Sequence, residues 1–150
     1  VKVLLDPAPA RQLPDNLLSQ VDILTPNQNE CEAITGNKIE DVDDVKKAIS
    51  TIKDMGVKQV IVTMGSQGVI YNRHNDIIHK PAHKVKAVDT TAAGDSFNGA
   101  LAVALSQGKL LDEAIDFANI VGSLTVTKKG AQPSLPTIED VRCFTKHKKQ

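Results

Sequence analysis

The sequence has few cysteines and no excess of charge of either sign, and each feature argues against certain classes of function. Its 150 residues include two cysteines, Cys31 and Cys143, which do not have the spacing of metal ligands. Lysine plus arginine number 18, as do aspartate plus glutamate, so the formal net charge is zero. A protein that binds nucleic acids or membrane surfaces needs a positively charged surface, so this balance argues against both as partners.

Long apolar runs and export signals are also missing. No apolar stretch approaches the length of a membrane span, no charged-then-apolar signal segment is seen, and no N-x-S/T acceptor site occurs. We therefore expect a cytoplasmic location, where thiols stay reduced. With 41% hydrophobic and 24% charged residues, the composition is that of an ordinary globular protein, and residues 1–150 are predicted to form one domain.

Predicted strands and helices alternate along the chain, which favours an α/β fold around a mostly parallel sheet. The hairpin-like stretch 68–88 predicts an antiparallel edge. The predicted strands are Val1–Leu5, Val21–Leu24, Val60–Val62, Val69–Tyr71, Ile77–Ile78 and Lys84–Val88. The predicted helices are Leu13–Ser19, Glu30–Ile34, Asp41–Met55, Gly94–Gln107, Leu111–Thr127 and Thr137–His147. Because the chain opens on an apolar run without a methionine, we expect it to begin inside a strand of a longer protein.

The most informative segment is residues 89–100, D-T-T-A-A-G-D-S-F-N-G-A, which joins a predicted strand to a predicted helix. Open parallel sheets bind ligands at such junctions. The small residues Ala92, Ala93 and Gly94 leave their backbone N–H groups unshielded, and these groups form an anion cradle with the positive end of the helix. Asp95, in the first helical turn, is placed to accept a proton from an attacking hydroxyl while the cradle stabilises a transferred phosphoryl group.

A second interpretation of Asp95 stays open on the residues alone. An aspartate in a first helical turn is often only a cap or a partner of the helix dipole. The phosphate-binding P-loop is absent, because Gly108-Lys109 is followed by Leu110 and position 103 is Val.

Residues 89–100 resemble the signature of the ribokinase family, also called the pfkB carbohydrate kinases, D-T-x-A-A-G-D-x-F-x-G-A. The resemblance implies a ribokinase-like three-layer α/β/α sandwich that uses ATP and Mg²⁺. It implies that Asp95 is the catalytic base that acts on the sugar hydroxyl. It also implies an anion hole formed by Ala92, Ala93 and Gly94.

Two further segments resemble nucleotide-binding elements of this family. Residues 25–30, T-P-N-Q-N-E, are similar to T-P-N-x-x-E, which implies that Asn27 lies near the ATP phosphates and that Glu30 acts through water on Mg²⁺. Residues 63–69, T-M-G-S-Q-G-V, are similar to T-L-G-S-x-G-V, a turn that lines the nucleotide site. The lining residues that this likeness implies are Thr63, Gly65, Ser66, Gln67 and Gly68.

Each of these residues also has a purely structural interpretation. Asn27 after a proline could be only a helix cap, and the glycine turn could be only part of a hairpin. Asn119 falls where family members place a residue beside the adenine, and it could equally be a polar position on an amphipathic helix.

Residues 127–134, T-K-K-G-A-Q-P-S, resemble a family stretch that helps to bind a monovalent cation, usually K⁺. Without the family, this stretch would be assigned to a loop. A large, weakly hydrated cation suits carbonyl-rich loops, and close to the anion hole it adds positive field. The implied ligands are the side chains of Asp89 and Ser134 and the backbone carbonyls of Thr91, Thr125, Lys128 and Gly130.

Within the family, the same stretch and residues 6–11, D-P-A-P-A-R, are most similar to the ribokinases, where asparagine usually stands in place of Asp6. The resemblance implies phosphorylation of D-ribose to D-ribose 5-phosphate, and a homodimer for the full-length protein. Family members are considerably longer, so we expect the N-terminal part and the lid over the sugar to be missing here.

Two alternatives remain open. The first is another pfkB-type kinase of a sugar or nucleoside, which the 127–134 stretch disfavours. The second is a truncated, non-catalytic nucleotide-binding module, which the incomplete length favours and the intact Asp95 disfavours.

Overall fold

The computed structural model describes residues 2–147, which form two compact units that divide after Pro81. All five strands lie in the first unit: β1 Leu4–Leu5, β2 Ile23–Leu24, β3 Gln59–Thr63, β4 Val69–Arg73 and β5 Asp76–Lys80. The first unit also holds three helices, α1 Asp15–Leu18, α2 Gln28–Thr35 and α3 Val42–Asp54. The second unit is helical, with α4 Ala93–Ser106, α5 Leu111–Thr125 and α6 Ile138–His147.

The five strands form one mixed sheet in the order β1-β2-β3-β4-β5. The first three strands run parallel, with Leu4 opposite Ile23 and Leu24 opposite Val60. The pairs β3–β4 and β4–β5 are antiparallel, which gives the sheet its antiparallel edge. The α/β class and the antiparallel edge predicted from the sequence are confirmed. Because β1, β2 and β3 are parallel, their carboxyl ends lie along one edge of the sheet.

The core of the first unit forms because α3 places an apolar stripe against the sheet. Val45, Ile49 and Ile52 recur at the helical period and are fully buried, as are Val60 and Val62 of β3. Full burial of each such side chain contributes roughly 1.5–3 kcal/mol. These contacts fix the strands whose carboxyl ends carry the candidate nucleotide residues.

The second unit is organised around the pairing of α4 with α5, which pack against each other. Leu101 of α4 and Ile115 of α5 are both fully buried. Gly122 of α5 lies beside the start of α4, where an added Cβ would be 3.6 Å from the Ala93 carbonyl oxygen. This packing supports the first turn of α4, which contains the candidate catalytic residue.

The structure corrects one predicted strand and shortens two others, of which Val21–Leu24 is a strand only at Ile23–Leu24. Residues 84–88 form no strand within the described part of the chain. Instead, the Val88 amide donates to the carbonyl oxygen of Val126 at 2.7 Å, at the end of α5. An alternating sequence becomes a strand only where a partner ladder is available, and this segment hydrogen-bonds to a helix terminus. Strand pairing near the start of the chain is confined to Leu4–Leu5. Residue 1 of the predicted strand Val1–Leu5 and residues 148–150 lie outside the described residues.

Candidate active site

Asn27 and Glu30 form a reciprocal cap at the start of α2, where β2 ends. The Glu30 amide donates to Asn27 Oδ1 at 2.9 Å, and the Asn27 amide donates to Glu30 Oε2 at 2.8 Å. Each side chain thereby satisfies an amide that the first helical turn leaves without a partner. Both predicted residues therefore have a structural role in addition to any contact with nucleotide.

Glu30 is buried, with 6% of its surface exposed. Burial raises the pKa of Glu30 above its ordinary value, the hydrogen bond from the Asn27 amide opposes that rise, and the negative charge of Asp6 adds to it. Asp6 follows directly after β1, so the two carboxyl groups lie near the ends of neighbouring parallel strands. This edge of the sheet holds a concentration of negative charge that a divalent cation would offset.

The predicted glycine turn directly follows β3. The Thr63 amide donates to the carbonyl oxygen of Pro26 at 2.9 Å, so the structure brings Thr63 next to Asn27. The chain then forms a 3₁₀ turn at Gly65–Gln67, all of it exposed. Gly65 has φ +55° and Gly68 has φ +93° with ψ −132°, a backbone region that residues with a Cβ rarely adopt. The glycines are needed to make this turn, so their presence alone does not distinguish a hairpin from a nucleotide site.

In the second unit, α4 begins without a side-chain cap. Its N-cap residue, Ala92, has φ +63° and ψ +8°, the left-handed conformation that is uncommon for alanine. The first intrahelical bond runs from the Ser96 amide to the Ala92 carbonyl at 2.9 Å. The Ala93 amide donates to the Thr90 carbonyl at 3.2 Å, so one of the three predicted anion-hole amides has an internal partner. Helix geometry leaves the Gly94 amide without an intrahelical acceptor and directs it out of the helix end.

Asp95 lies in this first turn and is exposed. The neighbouring Ser96 is buried, and its hydroxyl donates to the Ala93 carbonyl oxygen at 2.9 Å. The helix start therefore presents a carboxylate to solvent next to uncapped backbone amides. This arrangement suits a base beside an anion-binding turn.

Asp89 joins the loop before α4 to the loop after α5. Its Oδ1 accepts from the Thr91 amide at 2.9 Å, and its Oδ2 accepts from the Gly130 amide at 2.9 Å. Hydrogen bonds from the Thr91 side chain, the Gly130 amide and the Thr91 amide lower the pKa of Asp89 to about 2. Three of the predicted cation ligands, Asp89, Thr91 and Gly130, are thus brought together.

The other predicted cation ligands lie in the turn after α5 and in the 3₁₀ turn Gln132–Ser134. The Thr125 carbonyl accepts from the Lys128 amide at 3.3 Å, which places these two ligands in one turn after α5. Ser134 is buried, and its hydroxyl donates to the Ala131 carbonyl oxygen at 2.6 Å. The carboxylate and carbonyl oxygens of the set fit the donor preference of a hard cation. Across residues 2–147 no group of three or more His, Cys, Asp or Glu side chains is placed to hold a metal ion, so a cation here would depend on backbone oxygens.

Asn119 lies on the inward face of α5 and is 8% exposed. Its neighbours Ala118 and Val121 are buried on the same helix. Asn119 therefore lies on the buried face of α5, and its place beside the adenine stays a prediction. None of the helices within residues 2–147 has the length and apolar character that a membrane span requires.

Sequence reasoning missed two contacts that hold these elements. Asp89 closes a turn onto the amide two residues later, and the signal for such an Asx turn is present in D-T-T. His79 on β5 donates from Nε2 to the Gln67 carbonyl oxygen at 2.8 Å, and this contact has no local signal because it depends on the register of β4 and β5.

Comparison with known proteins places these features in one family. The profile of the pfkB family of carbohydrate kinases matches residues 1–138. The chain is 45% identical over 147 residues to the ribokinase of Haemophilus influenzae, an alignment that covers 98% of this chain and 48% of that protein. The chain therefore spans about half the length of the curated relatives it matches.

Solved structures agree with this assignment. The crystal structure of ribokinase from Thermotoga maritima superposes with a TM-score of 0.89 at 45% identity, over 97% of this chain and 49% of that one. The structure of Arabidopsis thaliana ribokinase complexed with ribose and ATP superposes with a TM-score of 0.91 at 37% identity, over 97% of this chain and 48% of that one. The sequence signature, the mixed sheet and these matches together show that the chain belongs to the pfkB family of carbohydrate kinases.

Proposed function

We propose that this chain is the nucleotide-binding and catalytic portion of a ribokinase, which transfers the γ-phosphoryl group of ATP to D-ribose and yields D-ribose 5-phosphate. Relatives that carry the name ribokinase support this proposal, and one of them was solved with ribose and ATP. The chain covers about half of those proteins, so the proposal concerns the protein of which this sequence forms a part.

The observation that carries the proposal is the start of α4. The helices α2 and α3 are capped by the side chains of Asn27 and Asp41, whereas α4, like α1 and α5, begins with no side-chain cap. What sets α4 apart is that its N-cap residue, Ala92, has the left-handed conformation. An uncapped helix start stabilises an anion through its amides and its dipole. Asp95 lies exposed in the same turn, so an anion site and a base occur within four residues.

The proposed reaction is an in-line displacement at phosphorus. The Asp95 carboxylate accepts the proton of the terminal ribose hydroxyl, and the hydroxyl oxygen forms a bond to the γ-phosphorus as the bond to the bridging oxygen of ADP breaks. The backbone amides of the segment Ala92–Gly94 stabilise the negative charge on the transferred group. Because the Ala93 amide has an internal acceptor, we assign the larger share of this role to Gly94.

For the first unit we propose contacts with the nucleotide. Asn27 would lie near the phosphates, Glu30 would hold Mg²⁺ through water, and the turn from Thr63 to Gly68 would line the nucleotide. For Mg²⁺, a single buried carboxylate fits, because this ion keeps several waters and relies on phosphate oxygens. When bound, Mg²⁺ neutralises charge on the phosphates.

For the second unit we propose the monovalent cation site. Asp89 would contribute its carboxylate, and Thr91, Thr125, Lys128 and Gly130 their carbonyls, with Ser134 at the end of the loop. When bound, K⁺ adds positive field next to the anion hole. For Asn119 we propose a place beside the adenine.

Two other functions are compatible with the family. Another pfkB-type kinase, for a different sugar or a nucleoside, would keep the same base and anion hole. A non-catalytic nucleotide-binding module is the other possibility, and the observation in its favour is that the chain covers only half of its relatives.

The test measures ribose-dependent transfer of phosphate from Mg·ATP by the longer protein that contains this chain, in K⁺ buffer, with the sugar phosphate identified by mass spectrometry. The variant Asp95→Asn should lose turnover and keep Mg·ATP binding in calorimetry. Asp54→Asn is the matched control, because Asp54 is an exposed aspartate at the end of α3. Full turnover by Asp95→Asn would refute the proposed base. Binding of ATP without turnover on any sugar or nucleoside would favour the non-catalytic module.

A further inference from the structure

The Gly65–Gln67 turn is closed at its base, where the Met64 amide donates to the Gly68 carbonyl oxygen at 2.7 Å. Within it, the Gln67 amide donates to the Met64 carbonyl at 3.1 Å and the Gly68 amide donates to the Gly65 carbonyl at 3.1 Å. An added Cβ at Gly65 would meet no atom within 4 Å, so no packing holds that side of the turn. Two flanking glycines with positive φ add backbone freedom. An outside contact would therefore add a restraint on the exposed side of the turn, where packing supplies none.

His79 supplies such a contact from the edge strand of the sheet. Its Nε2–H donates to the Gln67 carbonyl oxygen at 2.8 Å. His79 pairs with Ile70 and Lys80 pairs with Val69, so His79 lies on β5 close to the point where the turn enters β4. The contact fixes the peptide between Gln67 and Gly68, where φ and ψ at Gly68 are those that only glycine adopts readily.

The acceptor of this hydrogen bond determines which atom is the donor. The acceptor is a carbonyl, so the Nε2 nitrogen carries the proton, and it carries a proton in both the neutral Nε2 tautomer and the imidazolium. The β4–β5 ladder that supports His79 consists of five residue pairs, from Val69–Lys80 to Arg73–Asp76. The paired hairpin therefore presents the donor to the exposed side of the turn.

We propose that His79 is a positioning residue for nucleotide binding, because it holds the Gly65–Gln67 turn in the conformation that the nucleotide meets. This inference rests on the proposed role of that turn in lining the nucleotide. His79 acts through Gln67 and itself touches no reacting atom. The hairpin of β4 and β5 thus forms the edge of the sheet and also pre-organises a binding loop.

The test uses the whole chain and compares His79→Ala with His79→Gln, because glutamine keeps an N–H donor at a similar reach. His74→Asn is the matched control: it lies at the hairpin turn with φ +54°, a conformation that asparagine tolerates. Two measurements are made. Calorimetry gives the Kd for Mg·ATP, and NMR hydrogen exchange without nucleotide gives the protection of the Gln67 and Gly68 amides.

We expect His79→Ala to raise the Kd about fivefold, as the loss of one hydrogen bond predicts, and to speed exchange in the turn. His79→Gln and His74→Asn should stay near the wild-type values in both measurements. If His79→Ala leaves both the Kd and the exchange rates unchanged, or if His79→Gln is as impaired as His79→Ala, the inference is wrong. If the wild-type chain binds no Mg·ATP, the proposed function fails separately, and the exchange rates alone decide whether His79 holds the turn.

Discussion

Asn27 offers a substitution that separates the structural role of a residue from its proposed role in binding. Its Oδ1 caps α2 by accepting from the Glu30 amide, and the same residue is proposed to lie near the ATP phosphates. Asn27→Ala removes the acceptor, whereas Asn27→Asp keeps an acceptor at the same position and adds a negative charge. The two variants should therefore differ in stability and agree in weak nucleotide binding.

The expected magnitudes follow from the cap. Loss of an asparagine cap costs about 1 kcal/mol of the free energy of unfolding, while asparagine and aspartate cap almost equally well. With a urea m-value of about 1–3 kcal/mol/M, Asn27→Ala should lower the urea midpoint by roughly 0.3–1 M. Asn27→Asp should stay closer to wild type than Asn27→Ala, because it keeps the acceptor and suits the helix dipole, although the nearby Glu30 carboxylate opposes the added charge.

Tyrosine fluorescence is the natural assay for this unfolding transition. The chain has no tryptophan and one tyrosine, Tyr71, which is fully buried in β4 of the first unit. Its signal therefore reports the unit that contains Asn27. In parallel, calorimetry should show that Asn27→Asp raises the Kd for Mg·ATP about tenfold or more, because its carboxylate would repel the phosphates.

Either half of this reasoning can fail independently. A urea midpoint for Asn27→Asp as low as that of Asn27→Ala would refute the capping argument. Unchanged Mg·ATP affinity in Asn27→Asp would refute the place of Asn27 near the phosphates. Asp41→Asn is the control, since it changes a cap of the same type on α3, away from the residues proposed to bind nucleotide.

Two further predictions concern ionisation. The pKa of Asp89 is lowered to about 2 in the folded chain, so its contribution to stability is complete above its ordinary value near 3.8 and is lost as the pH falls through 2. Asp89→Asn should therefore be less stable than wild type at pH 7, with a difference in circular-dichroism melting temperature that shrinks on acidification to about pH 2; a constant difference would contradict the assigned hydrogen bonds. Burial raises the pKa of Cys31 to about 12, with smaller contributions from the charges of Glu30 and Glu32, whereas Cys143 is exposed. A thiol reagent such as Ellman's should label Cys143 in the native chain and Cys31 only in denaturant, and native labelling of Cys31 would show that α2 opens.

Much of the fold could be predicted because its signals are local. The stripe of α3 and the left-handed Gly36 after α2 both follow from sequence period and helix caps. The segment 84–88 shows the limit of such signals. Its alternation is typical of a strand, but whether a strand forms depends on a distant partner, and here the partner of Val88 is the end of α5.

The candidate site was predictable in its residues and less so in its contacts. Family resemblance selected Asp89 and Gly130, which are 41 positions apart and are joined by a hydrogen bond in the structure. It did not indicate that the Ala93 amide is used by Thr90, or that Ala92 adopts the left-handed conformation. These are properties of backbone geometry, and alanine gives no sequence signal for a positive φ.

Asn27 and Asp89 have structural roles as well as proposed binding roles, so their presence in a motif does not by itself establish that they bind a ligand. Asn27 caps a helix and Asp89 joins two loops, so each residue has a role in the fold whether or not it binds a ligand. Asp95 differs, because it is exposed and α4 begins without its help as a side-chain cap. A change at Asp95 should therefore cost little stability, and a loss of phosphate transfer in Asp95→Asn can be attributed to chemistry. For Asn27 and Asp89, only variants that keep the hydrogen bond while altering charge can separate the two roles.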